Sequence, residues 1–158
     1  MGPKACTWEG RPEVFVDHLL RSYASFPRLH GDNVVVTATG FDRPEAFTWL
    51  AIQSCLGRDF LVMLKKGRKE PWCEYLAVVL LVGSAEEARR FVYRVQLRGA
   101  AHALSWEART KSLNSLAETV RSGHGLLFYW MTAERLGNGS VLSMAVRISD
   151  APLCRHKM

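Results

Sequence analysis

From residue 33 onward the chain carries eight short apolar runs, and their number and spacing constrain the fold more than any other feature. The runs are NVVVTATGF, AFTWLAIQS, DFLVMLKK, EYLAVVLLVG, FVYRVQLRG, HALSWEAR, GLLFYWM and VLSMAVRIS. Each is rich in β-branched and aromatic residues and is bounded by Gly, Pro, Asn or charged turns, which is how strands read. With little helix between them, they predict a mainly all-β fold, an antiparallel sandwich of about eight strands. The last run alternates cleanly: Leu142, Met144, Val146 and Ile148 share one face, while Ser143, Ala145, Arg147 and Ser149 share the other. Asn138-Gly139 just before it is a strong hairpin signal.

Two short helices interrupt the strands. Ser84 followed by Glu87 forms a capping box that starts a helix in SAEEARRF. In SLNSLAETVRSG, Leu113, Leu116, Ala117 and Val120 fall at i, i+3, i+4 and i+7, with Gly123 as a left-handed stop. A third, leader helix is expected from about Pro12 to Ser22, and SYASFPRLHG reads as the linker behind it.

A chain of 158 residues with 48% hydrophobic content buries a full-sized core without disulfides or metal. The opening MGPKACTWEG has no apolar stretch, and YLAVVLLVG is too short to span a bilayer. The expectation is a cytoplasmic protein, with the nucleus as a second compartment and no membrane partner. Its cysteines, Cys6, Cys55, Cys73 and Cys154, form no CxxC pair and read as free thiols. The net charge of +6 is spread along the chain. KKGRKE reads as a solvated loop, and no run interleaves aromatics with basic residues, so no nucleic-acid partner is expected.

Catalytic motifs are missing: there is no GxSxG, no HExxH and no glycine-rich phosphate loop, so the chain is expected not to be an enzyme. CTWEGRPEVFVDHLL looks like the back half of a small zinc finger. A structural zinc site needs four ligands, yet no cysteine precedes Cys6, and Arg21, Ser22 and Tyr23 occupy the positions three to five beyond His18. Cys6 and His18 are therefore vestigial ligand positions, and no bound metal or other cofactor is expected.

These residues carry a resemblance. FVYRVQLRGAAHALSWEARTKSL and WLAIQSCLGRDFLVML resemble two blocks of the C-terminal, TRAF-like domain of the seven-in-absentia (Siah) family, and CTWEGRPEVFVDHL resembles the end of the family's second zinc finger. The resemblance implies a degenerate SIAH-type finger at 1–25, a TRAF-like substrate-binding domain at 26–150 and a tail at 151–158. In that family a RING and intact, zinc-binding fingers precede the domain, and the domain binds substrate and dimerises. It implies three functions. The first is a non-catalytic module of the ubiquitin-ligase pathway that takes up degron-containing proteins as adaptor or competitor. The second is a genuine E3 ubiquitin-protein ligase subunit, as part of a longer chain or paired with a RING-bearing relative, and the third is a scaffold with a degenerate groove. The implied partners are degron proteins and a second copy or RING-bearing family member. Degron binding in the family resembles strand addition; of its groove positions Leu29 and Trp49 are kept, whereas Phe47, Ala51, Ala145 and Pro27 stand where the family has other residues, which implies weaker binding of the family's degron or preference for a different one. Leu29 and Trp49 are equally readable as ordinary core residues.

Overall fold

The computed structural model describes residues 4–6, 21, 25–41, 46–67, 74–139 and 141–152. Among these residues, eleven strands form two packed sheets. They are β1 (Lys4–Cys6), β2 (Arg28–His30), β3 (Asn33–Thr39), β4 (Phe47–Cys55), β5 (Arg58–Gly67), β6 (Glu74–Leu81), β7 (Phe91–Arg98), β8 (Ala103–Arg109), β9 (Lys111–Ser112), β10 (Leu126–Tyr129) and β11 (Val141–Asp150). The first sheet runs β1-β4-β5-β6-β10, with β2 also on β4 and β9 on β6; the second runs β3-β11-β7-β8. The fold is the expected β-sandwich, and each of the eight apolar runs holds one of the eight longer strands.

The two sheets bury themselves differently. In the second, Phe91, Tyr93, Val95 and Leu97 of β7 and Leu142, Met144, Val146 and Ile148 of β11 are buried and alternate with more open neighbours, so one face is wet. In the first, Phe47–Gln53 of β4, Phe60–Leu64 of β5 and Tyr75–Leu81 of β6 are buried without interruption. Residues that alternate in direction are all covered, so this sheet is a middle layer. The helical segment after β9 supplies part of the cover, since its Leu113 and Leu116 belong to the core and Val120 packs against it.

Among the described residues, apart from the helical Arg21, the helices are α1 (Ala85–Ala88), α2 (Leu116–Ser122, after a 3₁₀ turn at Leu113–Ser115) and α3 (Trp130–Leu136). The capping box at Ser84 forms with both of its bonds, and Gly123 stops α2 at φ +65°. The paired FVYRVQLRG and HALSWEAR runs make the β7–β8 hairpin, pinned where Trp106 Nε1 donates to the Tyr93 hydroxyl at 2.9 Å. Burial pushes the Tyr93 phenol up to about 12.

Several expectations are corrected. GLLFYWM is strand only to Tyr129: the period-2 pattern of Leu126 and Phe128 gives way to buried Ala133 and Leu136, three apart on a helical face. Because α3 precedes β11, Asn138-Gly139 closes no strand-to-strand hairpin, and its bridge pairs Asn138 with Val141. The linker stretch contains β2, with Phe26 buried beside it. KKGRKE is not all loop. Its Lys66 lies buried in β5 and donates to the Phe41 carbonyl, which also accepts from the Tyr75 hydroxyl, at 3.1 and 2.9 Å. The long strands pair antiparallel as expected, and only the short β2 on β4 and β9 on β6 run parallel. His18 and the side chain of Cys6 lie outside the described residues, as does the leader helix apart from Arg21. No helix among the described residues is long and apolar enough to cross a membrane.

The β4–β5 hairpin turns on Leu56 and Gly57, both left-handed at φ 55° and 73°, between the paired Cys55 and Arg58. A two-residue turn of this hand suits Asn-Gly, and a leucine in it is strained by about 1 kcal/mol. Leu56 is 41% exposed, so its side chain contributes little packing. The substitution Leu56→Asn is expected to stabilise the domain by about 1 kcal/mol, read as a higher urea midpoint at unchanged slope. No gain would mean that the leucine is held by contacts worth as much as the strain.

Candidate functional site

β4 is the last long strand at its end of the first sheet, flanked there by the short strands β1 and β2, and this outer edge is where the sequence points to peptide binding. Backbone groups of Ile52 and Ser54 face outward: the Ile52 N–H donates to Pro27 O at 2.8 Å, and Ser54 O accepts from the Gly31 N–H at 3.0 Å. By the alternation of strand geometry, Thr48 and Leu50 face the same way. Two short segments meet this edge. Arg28–His30 pairs parallel with Ile52–Ser54, and Lys4–Cys6 pairs antiparallel with Thr48–Leu50.

The two segments are held unequally. β2 is tied by its side chains as well as its backbone, because Arg28 donates to Ser54 Oγ at 2.7 Å and to the Asp59 carboxylate at 2.8 Å. Leu29, opposite Gln53, is half-buried and packs against the core. β1 spans three residues.

The inward side of this edge is a junction between the sheets. The Trp49 indole donates to Thr39 O in the second sheet at 3.2 Å, and its ring lies 5.8 Å from that of Phe47. Gln53 is fully buried, and its Nε2 donates to Gly31 O at 3.0 Å and, across the sandwich, to Val146 O at 3.4 Å. Phe47, Trp49, Ala51 and Gln53 therefore share the face turned to the second sheet, all of them buried, and Trp49 is only 3% exposed. Trp49 is a core residue here.

The structure brings Leu29, Phe47, Trp49 and Ala51 onto one edge but leaves Ala145 out. Ala145 is half-buried on the outer face of β11, opposite the exposed Val35, whereas Met144 and Val146 point inward. Sequence reasoning missed Gln53, although a glutamine inside the apolar run WLAIQS was the available signal. At the end of β4, burial and the nearby Asp32 charge push the Cys55 thiol up to about 11, which disfavours its thiolate. Among the described residues, no group of three His, Cys, Asp or Glu is placed to hold a metal ion.

Residues 53–147 match the family described as Sina, TRAF-like domain. Over 147 residues, 92% of its length, the chain is 33% identical to the E3 ubiquitin-protein ligase sina of Drosophila melanogaster, of which it covers 47%. It is also 33% identical, over the same share of its length, to the E3 ubiquitin-protein ligase SIAH2 of Homo sapiens, of which it covers 45%. The chain spans about half the length of the curated relatives it matches. The expectation that it is not an enzyme is corrected by these matches, because the proteins it resembles along nearly its whole length are named as ligases. The absence of catalytic motifs was the wrong test, since it was applied to about half of what those enzymes contain.

Trp49→Ala is expected to cost about 3–5 kcal/mol of stability, and Trp49→Phe, which keeps a ring but leaves Thr39 O without the indole, about 1–2 kcal/mol. Urea unfolding followed by circular dichroism measures both. A Trp49→Ala chain as stable as the wild type would move the indole out of the core.

Proposed function

Because the chain belongs to the Sina, TRAF-like domain family, we propose that it is the substrate-binding part of an E3 ubiquitin-protein ligase and takes up an extended segment of its target by strand addition at the outer edge of β4. The observation that supports this is the pairing of Lys4–Cys6 with Thr48–Leu50, in which this edge already carries a short extended strand of the chain itself. A target segment there takes the place of Lys4–Cys6, gaining backbone bonds from Thr48 and Leu50 and side-chain contacts near Leu29 and the Phe47–Trp49 pair. A tethered strand competes at an effective concentration of about millimolar, so a target displaces it only by adding side-chain contacts. In this proposal residues 26–150 form the substrate-binding domain, 1–25 a finger-derived collar and 151–158 a tail.

Peptides selected by display on the whole chain test the edge. Thr48→Pro removes an outward amide while leaving the β5 side intact, and should weaken a selected peptide by roughly tenfold or more. Cys6→Pro weakens the resident strand and should tighten the same peptide several-fold. Binding unchanged in both variants would set the β4 edge aside. A reporter fused to such a peptide should be ubiquitinated and cleared faster in cells that express the protein, and an unchanged half-life would count against the ligase role.

We also propose that the chain associates with a second copy or a family relative through β10, the opposite end of the same sheet. Leu127 and Tyr129 are 43% and 48% exposed on this strand, and Trp130 and Met131 extend the apolar patch into α3. Sedimentation should find a dimer that Leu127→Asp converts to monomer; a wild-type monomer that also fails to pair with a relative would remove the proposal.

A further inference from the structure

On the β6 side of the first sheet, away from β4, the end of α1, the β8–β9 junction and α2 enclose a cleft of about 510 Å³. Three cations line it: Arg89 at the end of α1, Arg109 at the end of β8 and Lys111 in β9. His124, just past α2, stands at its wall with its ring edge-on to Trp106 at 6.0 Å. The single carboxylate on the lining is Glu118. The two ion pairs found among the described residues join Arg28 to Asp59 and Arg58 to Glu87, so neither draws on these cations. Arg109 instead donates to the carbonyl of Arg89 at 3.2 Å, which ties the two arginines together at the rim.

The hydroxyls of the cleft are mostly committed to the fold. Thr110 donates to Ala88 O at 2.6 Å, and Ser122 donates to Thr119 O at 3.3 Å. Ser115, at the start of α2, makes no side-chain cap bond, and Thr119 is the buried one of the two: it is 1% exposed, lines the cleft, and its Oγ1 has no hydrogen-bond partner. A buried hydroxyl without a partner is costly, and so is a gathering of like charges. Both costs are relieved by one kind of guest. Three cations less one carboxylate leave two positive charges, which match a phosphate monoester dianion with several acceptor oxygens.

We propose that this cleft binds a phosphorylated serine or threonine side chain of a partner protein. The arginine guanidinium groups and Lys111 hold the phosphate oxygens, Thr119 donates its free hydroxyl, and the remaining volume takes the residue that carries the phosphate. The proposal does not depend on strand addition at β4.

Titration of the isotope-labelled full chain, followed by NMR, tests it with three probes: a short phosphoserine peptide, the same peptide with aspartate in its place, and inorganic phosphate. The phosphopeptide should shift signals of Arg89, Arg109, Lys111 and Thr119 saturably and bind roughly tenfold more tightly than the aspartate peptide. Arg89 and Lys111 are exposed, so Arg89→Glu and Lys111→Glu should fold normally and each weaken binding by roughly tenfold, while Glu118→Gln strengthens it a few-fold. Equal binding of the aspartate peptide, affinity indifferent to these substitutions, or shifts confined to other surfaces would overturn the proposal. Inorganic phosphate binding as tightly as the phosphopeptide would overturn the phosphoprotein assignment as well.

Discussion

Burial of the β4–β5–β6 layer on both faces is the constraint from which the rest of the architecture follows. A strand covered on one face can alternate polar and apolar residues, but Phe47–Gln53, Phe60–Leu64 and Tyr75–Leu81 have no wet side. One cover is the second sheet, and the 3₁₀ turn and α2 contribute to the other. With both faces closed, only the edges of this layer are open to partners. Those edges are where β1 and β2 attach at one end and where β10 exposes its apolar side chains at the other.

Within the layer, a few polar groups fix which apolar arrangement is adopted. Gln53 reaches across to Val146 O, Trp49 to Thr39 O, and Lys66 and Tyr75 converge on the Phe41 carbonyl. Each would be expensive if misplaced in an apolar interior, so each selects one register between the sheets. Trp106 and Tyr93 do the same for the hairpin of the second sheet. The family-like block around those two residues is thus explained by packing and not by chemistry performed on a ligand.

Much of the fold was legible because strand periodicity is strong here. The eight runs, the capping box at Ser84 and the stop at Gly123 follow from local chemistry that the tertiary structure does not override. α3 was hidden because Leu126–Tyr129 and Trp130–Leu136 form one apolar string in which the period changes midway. Lys66 was misread because a lysine beside a glycine looks solvated, and only the fold supplies the carbonyl that makes its burial tolerable. The edge residues Leu29, Phe47, Trp49 and Ala51 came from resemblance, and nothing local distinguishes them from core. Ala145 also came from resemblance, and the strand's alternation alone already puts it on the outer face of β11. The basic cleft was not legible at all, since Arg89, Arg109 and Lys111 belong to different elements that only the fold assembles.

The three-residue strand on β4 has a consequence for how safely the protein can be opened. Phe47–Ile52 is apolar apart from one threonine, uncharged, free of proline and glycine, and rich in aromatic and branched side chains, the composition of segments that seed cross-β fibrils. While Lys4–Cys6 lies along it, the backbone there has no vacancy for another chain's strand. Any event that lifts Lys4–Cys6 away uncovers a template for aggregation, so solubility should fall in variants whose resident strand is weakened and recover when a peptide occupies the edge.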